Sequence, residues 1–227
     1  MTSIAFQLED LQQEIAKTCA KRQIFKHNVR LIAVSKRHSG EKIRQAYQAG
    51  QKAFAENFVQ EGIEKIQQLS DLDVEWHMIG AIQSRKCKDI AEHFDWVQSV
   101  DRLKVAQKLS QARTPERPPL QLCIQVNLFN EQQKAGLEAK AALQLAEQIQ
   151  ALPNVQLRGI MALPPKQTAP QAQKQQFAEI YALYQQLAAR YPNIDTCSMG
   201  MSGDYQAAIE QGSSMIRVGT TIFGARD

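Results

Sequence analysis

No two cysteines in this 227-residue sequence stand close enough to form a C-x-x-C pair. Cys19, Cys87, Cys123 and Cys197 are scattered, which argues against a zinc site and against a disulfide framework. No apolar run approaches the length of a membrane span, so no membrane partner is expected. The first ten residues lack both a basic and an apolar stretch, and nothing there suggests secretion. Strong basic clusters are missing too. The net charge of +4 is spread along the chain, and the densest run, Arg85-Lys86-Cys87-Lys88, has no aromatic residue within it. Nucleic acid is therefore not an expected partner. There is no internal repeat and no low-complexity tract. What remains is a reduced, cytoplasmic protein with 44% hydrophobic and 22% charged residues, enough for a single domain over residues 1–227.

Against those absences stands a regular alternation. Ile4, Leu8, Leu11, Ile15 and Cys19 recur at helical spacing and predict an amphipathic helix from Ser3 to Lys21. Short apolar strands follow at 30–35, 52–55, 74–79, 96–100, 120–127, 157–162, 195–198 and 215–218, with helical periodicity after each of the first seven. Gly50 should close the helix that begins at Glu41, and Asp101 should cap the one containing Val105 and Leu109. Strict alternation implies a parallel sheet, and eight units close a (β/α)8 TIM barrel. An open doubly wound sheet is the alternative.

In a barrel, function belongs to the carboxyl ends of the strands. Leu31-Ile32-Ala33-Val34 reads as a buried strand with Lys36 at its end, where an amine must reach water, pair, or react. The seventh and eighth ends carry Ser198-Met-Gly-Met-Ser202 and Arg217-Val-Gly-Thr220. Barrel enzymes often bind phosphate with those two loops, and Gly200 and Gly219 would let the backbone approach an anion. Strand one neighbours strand eight in a closed barrel, so Lys36 would face that phosphate site. A lysine beside a phosphate cradle suits pyridoxal phosphate, or an aldolase acting on a phosphorylated sugar. Arg217 favours the first, because a guanidinium can donate to a pyridine nitrogen without protonating it.

Ala33-Val-Ser-Lys36, Glu56-Asn-Phe-Val-Gln-Glu61, Trp76-His-Met-Ile-Gly80, Leu157-Arg-Gly-Ile-Met161, Ser198 to Asp204 and Gly212 to Gly224 resemble the pyridoxal phosphate homeostasis protein family, in that family's order. The resemblance implies a barrel like the N-terminal domain of alanine racemase, preceded by an extra helix, with pyridoxal 5′-phosphate held as an internal aldimine on Lys36. By the same resemblance Asn57, His77 and Met161 line the cofactor, Ser198, Met199, Gly200, Gly219 and Thr220 surround its phosphate, and Arg217 meets the ring nitrogen. Arg37-His38-Ser39, Ala55 and Arg85 depart from the family pattern without removing any of these contacts. Lys134 fits the pattern as well; it either steadies the loop after strand five, accepts cofactor in transit, or is a solvated loop lysine.

The family manages free pyridoxal phosphate and amino-acid or keto-acid balance without an established catalytic reaction. The resemblance thus implies a carrier, with apo-enzymes that use the cofactor as recipients. The alternative is a racemase or related amino-acid enzyme. Racemisation needs an acid and a base on opposite faces of the substrate, and no tyrosine is evidently placed opposite Lys36. Strand eight ends about nine residues before the C-terminus, so the racemases' second, dimerising domain is not expected and a monomer is.

Overall fold

The computed structural model describes residues 3–21, 29–167 and 169–224. Thr168, within the proline-flanked connection from Pro164 to Pro170, lies outside them. Eight parallel strands close a barrel in sequence order: β1 (Arg30–Val34), β2 (Ala53–Glu56), β3 (Glu75–Met78), β4 (Trp96–Val100), β5 (Leu120–Val126), β6 (Val155–Ala162), β7 (Thr196–Ser198) and β8 (Met215–Val218). The ring closes where β1 pairs with β8, Ile32 opposite Arg217 and Ala33 opposite Val218. The closed barrel expected from the alternation forms, and the open sheet does not.

Helix α1 (Ile4–Ala20) begins at Ser3, whose hydroxyl accepts from Phe6 N at 3.2 Å. It buries Leu8, Leu11 and Ile15 against α2 (Gly40–Gln48) and two short C-terminal helices, α8 (Tyr205–Glu210) and α9 (Thr220–Phe223), so it covers the β1/β8 seam. The remaining helices are α3 (Val59–Gln68), α4 (Cys87–His93), α5 (Leu103–Ala112), α6 (Ala139–Gln150) and α7 (Pro170–Ala188). Gly50 follows α2 at φ +95°, the left-handed geometry that ends a helix. Asp101 does not cap α5. Arg102 stands at that position, and the Asp101 carboxylate is drawn to its guanidinium instead.

The core has two layers. Outward-facing strand residues such as Ala33, Phe54, Val97 and Ile160 pack on the helices. Inside the ring a smaller apolar set, Ile32, Ala53, Ala55, Trp96, Cys123, Met161 and Met215, fills the barrel. Alanines at 53 and 55 leave room for the Trp96 indole. A bulge on β6 sets Leu122 opposite Leu157 but Cys123 opposite Gly159, which leaves Arg158 as the extra residue. Its guanidinium lies 5.1 Å from the Trp96 ring centre, with Arg30 at 5.6 Å, and together they close the amino-terminal mouth.

Candidate functional site

Lys36 sits one residue past the buried Ser35 in the turn after β1, and that turn is clamped from below. Lys65, reaching from α3, donates to the Ser35 carbonyl (2.8 Å), to Glu56 (2.8 Å) and to Glu61 (2.7 Å). The Ser35 hydroxyl donates to Glu56 at 2.6 Å, and Glu61 accepts from the Arg37 backbone N–H. Arg37 adopts φ +63°, a left-handed conformation that a non-glycine residue holds only when its surroundings fix it. Burial pushes the Glu56 carboxyl up, and the Lys65 ammonium and Ser35 hydroxyl partly offset that. Two acids and a buried lysine therefore fix the peptide that aims Lys36.

Above the turn lies a cavity of about 320 Å³ at the carboxyl ends of the strands, within the range of small-ligand sites. It gathers Lys36, Asn57, Met161, Arg217, Gly219 and Thr220, drawn from four different strand ends. Val34, Ile79 and Leu163 give it an apolar side, and Ser202 and Gly203 a polar rim. Among the described residues two cations line the cavity, and no carboxylate or tyrosine does. The loops after β7 and β8 meet where Gly219 N donates to Ser202 Oγ at 3.4 Å. A Cβ on Gly219 would stand 2.9 Å from the Val34 carbonyl oxygen, so glycine lets β8 pass close to β1 there.

The other residues expected at the site lie elsewhere. Met199 packs in the outer core between sheet and helices. Gly200, at φ +97°, turns the chain against Ala208 and Tyr205. Ser198 and His77 are fully buried within the barrel, beneath the cavity rather than on its wall. Ser198 accepts from Arg217 Nη1 (2.6 Å) and donates to Gln98 (2.7 Å). His77 stacks on Trp96 at 5.3 Å, with Glu75 on one ring nitrogen and Gln98 on the other. Polar and flexible cavity residues outside the expected set include His38, Met201, Ser202 and Gly203, and the last three fall inside the segment Ser198 to Asp204 that carried the family resemblance.

Burial pushes the His77 pKa down, against the raising influence of Glu75 and Asp95, while Arg30 adds to the lowering. A histidine held neutral in the fold takes up its proton only when unfolded. The unfolded chain therefore binds more protons as the pH falls below the ordinary histidine value of about 6.5, and stability drops there. The expected loss is about 1.4 kcal/mol per pH unit from this group, continuing until its depressed folded pKa is reached. Urea unfolding of the wild type and His77→Gln between pH 7 and 5 checks it: the substitution should flatten the slope by about one proton.

Lys134, in the turn after β5, donates to the Leu163 carbonyl (3.2 Å) and the Pro164 carbonyl (3.0 Å) and pairs with Glu131. It straps that turn to the loop after β6, whose Leu163 lines the cavity. The loop lysine is thus a tether rather than a solvated side chain.

Fold and sequence together place the chain in a class. The sequence pattern of the alanine racemase N-terminal domain matches residues 9–227, the region that carries the barrel. The chain belongs to the pyridoxal phosphate homeostasis protein family: the protein of that name from Vibrio alginolyticus is 48% identical over all of this chain and 99% of its own length. The Escherichia coli K12 protein of the same name is 41% identical over all of this chain and 98% of its own. Among solved structures, PipY of Synechococcus elongatus superposes with a TM-score of 0.88 without PLP and 0.86 with PLP bound, at 36% identity. That match covers 98% of this chain and 100% of PipY.

Proposed function

We propose that this protein binds pyridoxal 5′-phosphate at Lys36 and acts as a cytoplasmic, monomeric carrier that buffers the cofactor and yields it to apo-enzymes, with no reaction of its own. One observation carries the reading: the fold brings Lys36 and Arg217 to a single cavity whose described wall holds no carboxylate. That donor set fits a ligand with an aldehyde and a phosphate. Relatives point the same way, since PipY at 36% identity has a structure with PLP bound. When bound, the group supplies an aldehyde that condenses with amines and a pyridine ring that withdraws electrons.

In this arrangement Lys36 would hold the aldehyde, Gly219, Thr220 and Ser202 would hold the phosphate, and Asn57 and Met161 would contact the ring. Arg217 would donate to the ring nitrogen and, being a guanidinium, would not hand it a proton. Its pKa is lowered by burial to about 10, still well above neutral pH. Racemisation would need a second proton-transfer group facing Lys36 across the ligand. His77 is committed to Glu75 and Gln98, and Tyr205 lines a separate recess with Lys174 and Glu210. His38 also lines the cavity, but it stands on the same turn as Lys36 and packs against the Phe223 ring at 5.0 Å, so these placements support holding over turnover.

Titration with pyridoxal 5′-phosphate and with phosphate-free pyridoxal, followed by absorbance and equilibrium dialysis, tests the proposal. A single equivalent of the phosphorylated form should bind, with pyridoxal weaker by about tenfold or more for loss of the charged contacts. Equal affinity for the two would refute a phosphate site. Loaded protein mixed with an apo-enzyme should restore that enzyme's activity; retention of all the cofactor would contradict a carrier.

A further inference from the structure

Five side chains cross the barrel interior in a hydrogen-bonded file in which every bond runs the same way. Arg217 Nη1 donates to Ser198 Oγ (2.6 Å), the Ser198 hydroxyl to Gln98 Oε1 (2.7 Å), and Gln98 Nε2 to His77 Nδ1 (2.9 Å). The opposite ring nitrogen, Nε2, faces the Glu75 carboxylate, which also meets Arg30 at 2.5 Å by the amino-terminal mouth. Ser198, Gln98 and His77 are wholly buried, and Arg217 is 3% exposed. Polar groups in such a place are costly unless all are paired.

The direction of the file is fixed by chemistry. A carboxylate accepts only, so in the neutral ring that burial favours Nε2 of His77 carries the proton and Nδ1 is bare. Nδ1 therefore takes a hydrogen from the Gln98 amide, which turns the Gln98 oxygen toward Ser198. With its proton given to Gln98, Ser198 offers Arg217 a lone pair. Beyond Ser198, the Arg217 guanidinium is held only by the Ala162 carbonyl (2.9 Å) among the described residues, and none of their carboxylates pairs with it. Gln98 stands at the middle of the file, its amide accepting from Ser198 toward the cationic end and donating to His77 toward the anionic end.

We propose that Gln98 is a positioning residue for the cavity's ligand: through Ser198 it fixes the Arg217 guanidinium in the wall, and through His77 it ties that cation to Glu75 at the far mouth. This rests on the cavity being a pyridoxal phosphate site in which Arg217 meets the ring nitrogen. Removing Gln98 frees the guanidinium to turn. The ring then loses a fixed donor, which changes its absorption as well as its affinity.

Gln98→Met keeps the volume and removes both amide groups; Gln98→Glu keeps an acceptor for Ser198 and meets Nδ1 of His77 through a proton held on either group. Nitrogen-15 NMR of His77 without cofactor, and absorbance titration with pyridoxal 5′-phosphate, read the two halves. In the wild type, His77 should be neutral with its proton on Nε2. Gln98→Met should shift the bound cofactor's band and raise Kd about tenfold, the effect of losing one buried hydrogen bond. Gln98→Glu should leave band and Kd near wild type. If Gln98→Met fails to fold, the Gln98→Glu result decides: a band and Kd displaced from wild type overturn the positioning role. Wild-type binding with Gln98→Met unchanged in band and Kd overturns that role alone. A wild type that takes up no cofactor overturns the proposed function and this role together.

Discussion

Lys36→Ala protein mixed with pyridoxal 5′-phosphate should show no protein-bound absorption band, and its affinity should fall by about a hundredfold or more, equivalent to about 2.7 kcal/mol. Among the described residues Lys36 is the one lysine on the cavity wall, and in the proposed binding mode its amine is the covalent hold. The remaining contacts, Arg217, Thr220, Ser202 and Asn57, would keep a weak, non-covalent site. Stability should barely change. The turn is held through the Ser35 carbonyl, the Ser35 hydroxyl and the Arg37 N–H, none of which belongs to the Lys36 side chain. A half-buried lysine lost from such a turn is expected to move Tm by no more than about 3 °C. Circular dichroism melts beside the absorbance titration separate the outcomes: a collapsed Tm would mean that Lys36 is structural, and an intact band would mean that another amine carries the cofactor.

Gly80→Ala should be the most disruptive small substitution at the site. A methyl group on Gly80 would stand 1.9 Å from the Asn57 carbonyl oxygen and 2.7 Å from its carbonyl carbon. Both atoms are backbone, so no side chain can swing away. The loops after β2 and β3 must separate by more than an ångström, against the Ile79 N–H to Glu56 bond of 3.0 Å and the Ser99 hydroxyl to Gly80 bond of 2.6 Å. Overpacking of this kind costs about 3 kcal/mol, or about 10 °C in Tm for a chain of this size. The displaced loop carries Asn57, so cofactor affinity should drop with it. Gly203→Ala is the stability control, because nothing lies within 4 Å of its added methyl group and its φ is not in the left-handed region. A Gly80→Ala protein as stable as Gly203→Ala would mean that the two loops are not in the contact described.

The barrel was legible because its signal is repeated. Trp96–Val100 and Met215–Val218 fall where apolar residues and flanking turns put them, and the other strands differ by a residue or two at their ends. Helix α9 and the 3-10 turn at Ser84–Lys86 are too short to show any periodicity, and neither was anticipated. Asp101 has the right side chain for a cap, but a neighbouring guanidinium outcompetes the helix for it.

The site was half legible. Residues one position apart on a strand face opposite sides, and a glycine-rich strand end does not reveal which residue points up, in or out. Ser198 points in, Met199 out, and the cavity takes Ser202 and Gly203 from further along the same loop. The clamp under Lys36 was hidden for another reason. Ser35, Glu56, Glu61 and Lys65 come from a turn, a strand end and a helix, and each alone reads as an ordinary polar residue. Gln98 left a fainter sign, a large amide at the centre of a strand whose every residue is buried.

The measurement that bears most directly on the account is borohydride reduction of wild-type protein saturated with pyridoxal 5′-phosphate, followed by peptide mapping. Reduction fixes the cofactor to whichever amine held it. A pyridoxyl group on the peptide containing Lys36, and on no other in comparable yield, is the predicted result. A label mainly on Lys134 or on any other lysine, or no label at all, would contradict it.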